Sequence, residues 1–157
     1  RARGFDMPVL YHARNAVAAD IERALAARHT PLDELLTQAD FVVLLVPYSE
    51  ATHHLIDANR LAKMKSTAVL VNVARGGVVD DDALAQALRK STIAAAGLDC
   101  VENEPNVLPL LRSLPNVLFS PHIGSATAGT RMNMAMLAVK NLATGLAGGT
   151  PPNIVTR

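Results

Sequence analysis

Unbroken apolar runs of strand length, separated by segments with helical spacing, are the feature that most restricts how this chain can fold. The run "FVVLLV", which begins at Phe41, shows no alternation of polar and apolar residues. Such a run is typical of a parallel strand that is covered on both faces. After the next apolar run, Leu84 and Leu88 recur at helical spacing. This repeated switch predicts an α/β fold built on a doubly wound parallel sheet.

The order of the elements follows from the same patterns. Strands are predicted in "PVLYH", "FVVLLVP", "STAVLVNVA", "TIAAAGLD" and "NVLFSP". Helices are predicted in "AADIERALAARH", in "PLDELLTQAD", after the acidic residues 80–82 and from about Ala126 to Leu146, while "ATHHLIDANRLAKMK" is expected to be helical or rich in turns. Polar segments follow the strands, namely "YHAR", "VARGG", "LDCVENEP" and "SPHIGSAT". Because doubly wound sheets bind ligands beyond the carboxyl ends of their strands, catalytic residues are expected there.

Composition excludes several classes of partner and site. Fifteen Lys and Arg nearly balance fourteen Asp and Glu, so the charge gives no indication of nucleic acid or an anionic membrane as a partner. No apolar stretch approaches the roughly 18 to 20 residues of a membrane-spanning helix. The single cysteine, Cys100, excludes a disulfide framework, favours a reducing, cytoplasmic compartment and is given no catalytic role. His53 and His54 lack the spaced partners that would predict a metal site.

Three segments carry a resemblance to a known family: "VNVARGGVVDDDAL", "AAGLDCVENEP" and "SPHIGSAT", in this order and each in the context of a predicted strand. Together they resemble the NAD(P)-dependent D-2-hydroxyacid dehydrogenase family over nearly the whole chain. "GFDMPVLYHAR" and "ATHHLI" are most similar to its glyoxylate/hydroxypyruvate reductase branch, which includes 2-ketogluconate reductases. The resemblance implies a Rossmann-like sheet and the transfer of a hydride from NAD(P)H to a small 2-oxo acid.

One element of that family pattern does not occur in these 157 residues. The pattern has a G-x-G-x-x-G turn after the first strand, which holds the pyrophosphate, and no such motif is present. By resemblance, residues 1–147 are expected to be the C-terminal portion of an NAD(P)-binding domain with its long helix, and residues 148–157 a tail that returns to a substrate domain. A missing first strand would lie between "PVLYH" and "FVVLLV". The 157 residues alone are therefore expected to be inactive, and to associate through that gap or misfold.

Reduction of a 2-oxo acid requires a residue that binds the substrate carboxylate, called here the carboxylate grip, and a residue that donates a proton to the oxygen. Arg75 is the candidate grip, because a guanidinium matches a carboxylate with two parallel hydrogen bonds. His122 in "SPHIG" is the candidate proton donor, since an imidazole titrates near neutral pH. The resemblance implies that Glu104, the carboxylate directly before a proline, orients this imidazole. Glu102 is then expected to be a solvated neighbour.

Cofactor contacts are expected at the same strand ends. By resemblance Asp99 accepts a hydrogen bond from the nicotinamide carboxamide, the alternative being a turn that it caps. No carboxylate occurs between Tyr11 and Asn15, and Arg14 is well placed for a 2′-phosphate, so NADPH is favoured and NADH remains possible. For Pro47 and Thr52 a plain turn and helix start is an equal alternative. The predicted cofactor-binding residues are His12, Arg14, Asn15, Pro47, Thr52, Val73, Ala74, Asp99 and Gly124, and no metal ligand is predicted.

The preferred function is the reduction of glyoxylate, hydroxypyruvate or 2-ketogluconate to the D-2-hydroxy acid. A dinucleotide-responsive binding or corepressor protein is the alternative, because some relatives with the same fold and triad act in that way. A formate dehydrogenase is disfavoured by resemblance, since those enzymes carry a neutral amide where this chain has Glu104. In the family the long helix contributes to dimer contacts. The methionines of "RMNMAMLAV" are therefore expected in core or interface packing, and a homodimer is expected for the intact protein.

Overall fold

A computed structural model of the chain describes residues 1–155. The chain separates into two compact units, Arg1–Ser120 and Pro121–Arg157. Among the described residues, the strands lie in the first unit and the long C-terminal helix lies in the second. The expected domain boundary after residue 147 stays a prediction.

Six strands and six α-helices occur within residues 1–155. The strands are β1 (Val9–Tyr11), β2 (Ala27–His29), β3 (Phe41–Leu44), β4 (Val69–Asn72), β5 (Ala95–Leu98) and β6 (Val117–Phe119). The helices are α1 (Ala19–Leu25), α2 (Leu32–Gln38), α3 (Ala58–Leu61), α4 (Asp81–Arg89), α5 (Pro109–Ser113) and α6 (Ala128–Leu146). Short 3₁₀ helices span Ala2–Phe5 and Glu50–Thr52. No helix of the described residues is both long and apolar enough to span a membrane.

Four strands form one parallel sheet in the order β3-β4-β5-β6. In its register Val42 lies opposite Leu70, and Leu70 lies opposite Ala96. Parallel neighbours require crossover connections, and the segments between these strands contain helices α3, α4 and α5. The predicted α/β class with a Rossmann-like parallel sheet is confirmed.

The core of the first unit lies on one face of this sheet. Val42, Leu70 and Ala96 are buried on that face in one apolar cluster, which includes side chains of α2, α3, α4 and α5. On β3 the intervening residues Phe41 and Val43 are 61% and 51% exposed. The prediction that this strand is covered on both faces is therefore wrong for the first unit, because the helices of that unit pack on one face.

The strand β2 takes the place of the last three residues of a predicted helix. The segment "AADIERALAARH" was expected to be helical throughout, but α1 ends at Leu25. Ala26 adopts a left-handed conformation with φ 47° and ψ 42°, which caps the helix and turns the chain. Residues 27–29 then pair in parallel with β1, so that Tyr11 lies opposite His29. Glycine is the usual residue at such a cap, so this alanine gave no signal for the end of the helix.

Helices α4 and α6 begin at the caps that their sequences indicate. The Asp80 carboxylate accepts the Ala83 N–H at 2.9 Å, as the acidic cluster predicted for the start of α4. In the second unit the Thr127 hydroxyl accepts the Thr130 N–H at 3.2 Å at the start of α6. Each such cap typically contributes about 1 kcal/mol. The short helix α5 was not anticipated, although its Pro109 stands at a first-turn position that favours helix initiation.

Candidate active site

Three loops follow β3, β4 and β5, and they lie at one edge of the sheet because parallel strands end on the same side. They are called here the β3 loop (45–57), the β4 loop (73–80) and the β5 loop (99–108). The His54 N–H donates to the Gly77 carbonyl at 2.7 Å, and the Ile56 N–H donates to the Val78 carbonyl at 3.0 Å. The Asp80 N–H donates back to the Ile56 carbonyl at 3.1 Å. The β3 and β4 loops are thus joined by their backbones.

A buried amide at the end of β4 joins the β4 and β5 loops. The side chain of Asn72 is fully enclosed, and its Oδ1 accepts the Ala74 N–H at 3.1 Å. Its Nδ2 donates to the Arg75 carbonyl at 3.0 Å and to the Cys100 carbonyl at 3.3 Å. A buried amide is costly unless its hydrogen bonds are made, and here one side chain makes three. The turn at Arg75 is therefore fixed from inside the protein.

Close approach of two backbones explains the glycine after Arg75. A Cβ atom built on Gly76 would lie 2.0 Å from the Val101 carbonyl oxygen and 2.9 Å from the Glu102 nitrogen. Any side chain at this position would therefore push the β5 loop away from the β4 loop. The next residue, Gly77, has φ 69°, a conformation that side chains disfavour. The pair of glycines in "VARGG" thus serves the contact between the two loops.

Arg75 emerges from this turn with an exposed side chain. Its guanidinium Nη1 donates to the Ala74 carbonyl at 2.6 Å, while Ala74 itself is buried. The exposed guanidinium beyond a buried strand is the position expected of a carboxylate grip. Its contact with a substrate stays a prediction.

Glu104 and Asp99 both lie in the β5 loop. The Val101 N–H donates to the Glu104 Oε1 at 3.0 Å, which draws this carboxylate back towards its own loop. Asp99 is buried, and the Ser120 hydroxyl donates to its Oδ1 at 2.5 Å. The carboxylate of Asp99 therefore joins the ends of β5 and β6. Its expected contact with a nicotinamide stays a prediction.

His122 and Gly124 lie in the second compact unit, and both are exposed. The backbone of His122 has φ 51°. Left-handed conformations are uncommon for residues other than glycine and occur often at functional sites. The convergence of His122 with Arg75 and Glu104, which belong to the first unit, stays a prediction.

The predicted 2′-phosphate site lies at the end of β1, where His12, Arg14 and Asn15 are exposed. The segment closes around Tyr11: its hydroxyl donates to the Glu22 Oε1 at 2.6 Å and accepts the Val17 N–H at 2.9 Å. Partial burial and the neighbouring Glu22 carboxylate raise the pKa of Tyr11. Arg14 therefore lies in a loop whose two ends, Tyr11 and Val17, are joined by a hydrogen bond.

The remaining predicted cofactor contacts lie in the β3 and β4 loops. Thr52 Oγ1 donates to the Pro47 carbonyl at 2.8 Å and accepts the Ser49 N–H at 2.8 Å. These bonds give Thr52 a local role at the start of a 3₁₀ helix, which was the equal alternative for this residue. Val73 is 41% exposed and Ala74 is 5% exposed. Contact of any of the four with a dinucleotide stays a prediction.

The prediction for Glu102 was wrong, and its contact with His54 was not anticipated. Glu102 was expected to be solvated, but its Oε1 lies 2.7 Å from the His54 Nε2, and its side chain is 26% exposed. For His53 and His54 the sequence shows no spaced partners that would indicate a metal site; in the structure the ligand atoms of His53, His54 and Glu102 all lie within 4.8 Å of one another. The two residues of the pair are 48 positions apart, and no spacing rule links them. The role of Asn72 was also missed, although an amide inside an apolar strand could have signalled it.

Two pKa values are displaced in this cluster. The hydrogen bond with Glu102 raises the pKa of His54, an effect that burial opposes and that the carboxylates of Asp80 and Asp81 reinforce. Burial raises the pKa of Asp81 to about 6, and the nearby charges of Glu102 and Asp80 add to the increase. The hydrogen bond from the Glu102 N–H to the Asp81 Oδ2, at 3.0 Å, acts in the opposite direction. The junction of the β5 loop with α4 is therefore sensitive to pH.

Comparison with known proteins identifies the family of this chain. The family model described as D-isomer specific 2-hydroxyacid dehydrogenase, NAD binding domain, matches residues 1–124. The chain belongs to this family. The resemblance read from the three sequence signatures is thereby confirmed.

Two curated relatives of this chain are named as reductases. The chain is 51% identical over 157 residues to a glyoxylate reductase of Thermococcus onnurineus, of which it covers 47%. It is 52% identical over 155 of its residues, 97% of the chain, to glyoxylate/hydroxypyruvate reductase B of Pectobacterium atrosepticum, of which it covers 48%. The chain thus spans about half the length of the curated relatives it matches.

A solved structure gives the same result for the fold. An NADPH-dependent glyoxylate/hydroxypyruvate reductase from Sinorhizobium meliloti, in complex with NADP and malonate, superposes with a TM-score of 0.90 at 36% identity. The match covers 98% of this chain and 47% of that one. The fold is therefore that of the family's NAD-binding domain.

Proposed function

We propose that the intact protein reduces a small 2-oxo acid to its D-2-hydroxy acid, with glyoxylate and hydroxypyruvate as first candidates and 2-ketogluconate as a further one. NADPH is the favoured hydride donor and NADH the alternative. The family and the printed names of the relatives support this reaction class. The structural observation that carries the proposal is the exposed Arg75 on a turn that the buried Asn72 holds.

In this proposal Arg75 binds the substrate carboxylate. Each charge-assisted hydrogen bond of this kind contributes about 1.5–3 kcal/mol, and two parallel bonds also fix the orientation of the acid. The carbonyl of Arg75 is bonded to Asn72, and Gly76 packs on the β5 loop, so the guanidinium starts from a defined point. Such positioning is what the approach of a 2-oxo carbon to a hydride donor requires.

The proton is assigned to His122, which donates it to the oxygen that becomes the hydroxyl. Glu104 would orient the imidazole, as the resemblance implies. The φ of 51° at His122 supports a functional role, because a non-glycine residue in this conformation persists only where the surroundings enforce it. When bound, the nicotinamide dinucleotide supplies the hydride.

The residues at the end of β1 fit a dinucleotide that carries a 2′-phosphate. A ribose diol is usually bound by a carboxylate at this position, and residues 12–15 contain none. Arg14 is exposed and can form a two-pronged contact with a phosphate, and His12 and Asn15 stand beside it. His12 Nδ1 also donates to the Thr30 carbonyl at 3.1 Å, which orients its ring.

A substrate panel on the intact protein tests the proposal. Glyoxylate, hydroxypyruvate and 2-ketogluconate are each offered with NADPH and with NADH, and consumption of the reduced dinucleotide is followed. Arg75→Gln is expected to lower kcat/KM for the 2-oxo acid by roughly 10- to 100-fold, the equivalent of one charge-assisted hydrogen bond or somewhat more. The matched control is Arg89→Gln, which removes an exposed guanidinium from the end of α4 and should leave turnover unchanged.

Two results would overturn the proposal. If the intact protein binds NADPH but consumes none of the three acids, the dinucleotide-responsive binding protein becomes the better assignment. If Arg75→Gln and Arg89→Gln behave alike on an active protein, Arg75 is not the carboxylate grip.

We further propose a homodimer formed through α6, in a reducing, cytoplasmic compartment. The helix carries apolar side chains that are exposed within the described structure, including Met132, Met134 and Leu142. The single cysteine of the chain, Cys100, is buried, which is consistent with that compartment. Light scattering of the intact protein measures the assembly, and a monomer at micromolar concentration would contradict it.

A further inference from the structure

We propose that Glu102 and His54 form a positioning pair that holds the β5 loop, and with it Glu104, against the β3 and β4 loops. The inference rests on the proposed function, because Glu104 matters here as the partner of the proton donor. The His54 Nε2 and the Glu102 Oε1 are 2.7 Å apart, and their side chains are 35% and 26% exposed. A pair this short and this sheltered is stronger than an exposed surface ion pair.

Glu102 is attached to the rest of the site through both its main chain and its side chain. Its N–H donates to the Asp81 Oδ2 at 3.0 Å, which joins the β5 loop to the start of α4. Its carboxylate joins the same loop to His54 in the β3 loop. The preceding Val101 donates its N–H to the Glu104 Oε1 at 3.0 Å. A displacement of Glu102 would therefore move Val101, and Glu104 would move with it.

The backbone on both sides of the pair is held in uncommon conformations. His54 has φ 47°, and Asn103, which lies between the two glutamates, has φ 54°. Residues other than glycine keep such conformations when the surrounding structure over-determines them. For His54 this restraint includes the 2.7 Å hydrogen bond from its N–H to the Gly77 carbonyl. The partner of Glu102 is therefore itself fixed to the β4 loop.

The geometry favours an ion pair over a metal site. His53, His54 and Glu102 bring three ligand atoms within 4.8 Å of one another. However, the rings of His53 and His54 stack with centroids 3.9 Å apart and planes inclined by 23°. The lone pairs of an imidazole lie in the plane of its ring, so those of two stacked rings run nearly parallel and do not converge on one ion. The His54 Nε2 is also occupied by Glu102.

Titratable groups from three loops and α4 face His54. They are Glu102 at 2.7 Å, Asp80 with its Oδ2 3.8 Å from the Nδ1, Asp81 at the start of α4, and the stacked ring of His53. The hydrogen bond with Glu102 raises the pKa of His54 above its ordinary value of 6.5. The stabilisation from pairing is therefore complete below pH 6.5 and is lost as the pH rises through the raised pKa. The pair therefore holds the loop more strongly below pH 6.5 than above the raised pKa of His54.

The test uses Glu102→Gln and His54→Gln in the intact protein. Glu102→Gln should shift the NMR titration of His54 to lower pH and reduce kcat by roughly 10- to 100-fold, the scale expected when a catalytic group is misplaced by about 1 Å. KM for the 2-oxo acid should change by less than about twofold, because Arg75 is not displaced. Because the two residues act as one unit, the double variant should be no slower than either single variant. Unchanged kcat in Glu102→Gln, or losses that add in the double variant, would overturn the proposal.

Hydrogen exchange keeps this test separate from the proposed function. The Val101 amide should exchange at least about tenfold faster in Glu102→Gln than in the parent, since its acceptor Glu104 is released. Glu50→Gln is the matched control. It neutralises an exposed carboxylate in the β3 loop, which also carries His54, and should leave the exchange of the Val101 amide unchanged. If the intact protein reduces no 2-oxo acid, the proposed function fails, but faster exchange of the Val101 amide in Glu102→Gln still supports the positioning pair. Equal exchange of the Val101 amide in Glu102→Gln and Glu50→Gln would overturn the positioning pair, whether or not the protein is an active reductase.

Discussion

Replacement of Asp81 by asparagine should stabilise the protein at alkaline pH. The Asp81 side chain lies at the first residue of α4 and is 6% exposed. Burial, followed by the charges of Glu102, Asp80 and Asp82, raises its pKa to about 6. Above that pH the site therefore holds a buried negative charge among three others. Asparagine keeps the oxygen that accepts the Glu102 N–H and removes the charge.

The size of the effect follows from the displacement of the pKa. The change from 3.8 to about 6 is about 2 pKa units, and each unit corresponds to about 1.4 kcal/mol. The ionised carboxylate therefore costs about 3 kcal/mol. The start of α4 favours a negative charge by about 0.3–1 kcal/mol, which the variant gives up. A net gain of about 2 kcal/mol in the free energy of unfolding is expected for Asp81→Asn at pH 8.

The pH dependence fixes the sign of this prediction. Because the folded pKa of Asp81 is the higher one, the folded state binds more protons between pH 3.8 and about 6. The contribution of Asp81 to stability is thus complete below pH 3.8 and is lost as the pH rises through 6. Urea unfolding of the intact protein should show nearly equal stabilities of parent and variant at pH 4 and the gain at pH 8. Asp20→Asn, at an exposed position in the first turn of α1, is the control. A variant that is less stable than the parent at pH 8 would refute the reasoning.

Three further substitutions test the loops. Gly76→Ala places a Cβ 2.0 Å from the Val101 carbonyl oxygen and should cost about 1–3 kcal/mol in urea unfolding and reduce kcat; an unperturbed variant would contradict the close approach. Arg14→Ala should lower kcat/KM for NADPH by roughly 10- to 100-fold and leave that for NADH nearly unchanged, with Arg23→Ala as control; unaltered discrimination would remove Arg14 from cofactor selection. Glu104→Gln should lower kcat and move the alkaline limb of the pH profile to lower pH, whereas an unchanged profile would remove Glu104 from the mechanism.

Hydrophobic pattern predicted most of the fold because the parallel strands are also the apolar runs. The strands around Val42, Leu70 and Ala96 were found in this way, and their helical connections follow from the same spacing. The pattern could not find β2, since its boundary with α1 depends on the left-handed conformation of Ala26. Burial was also overestimated for β3, where Phe41 is exposed in the first unit. An apolar run indicates that a strand can be covered on both faces, but whether it is covered depends on the elements that pack against it.

The candidate site was predictable where one segment carries the chemistry. Arg75 and Glu104 stand within short signatures, so their positions after β4 and β5 could be expected. The Glu102–His54 pair could not be, because the two residues are 48 positions apart and meet through the packing of two loops. The pKa of Asp81 has the same origin, since an acidic residue at a helix start is ordinary until burial and neighbouring charges are known. Sequence predicted the individual groups, and tertiary contacts set their electrostatics.

The buried amide of Asn72 explains why residues from separate loops can act together. Its three hydrogen bonds reach the β4 loop at Ala74 and Arg75 and the β5 loop at Cys100. An amide in an apolar interior is tolerated only while those bonds are made, so separation of the two loops would leave it unsatisfied. The loops that carry Arg75 and Glu104 are therefore coupled, because their separation would leave the buried Asn72 amide without its hydrogen-bond partners. The distance between the two proposed catalytic loops is thus set partly beneath the surface, by the hydrogen bonds of Asn72, and the Glu102–His54 pair acts on the same loops from a less buried position.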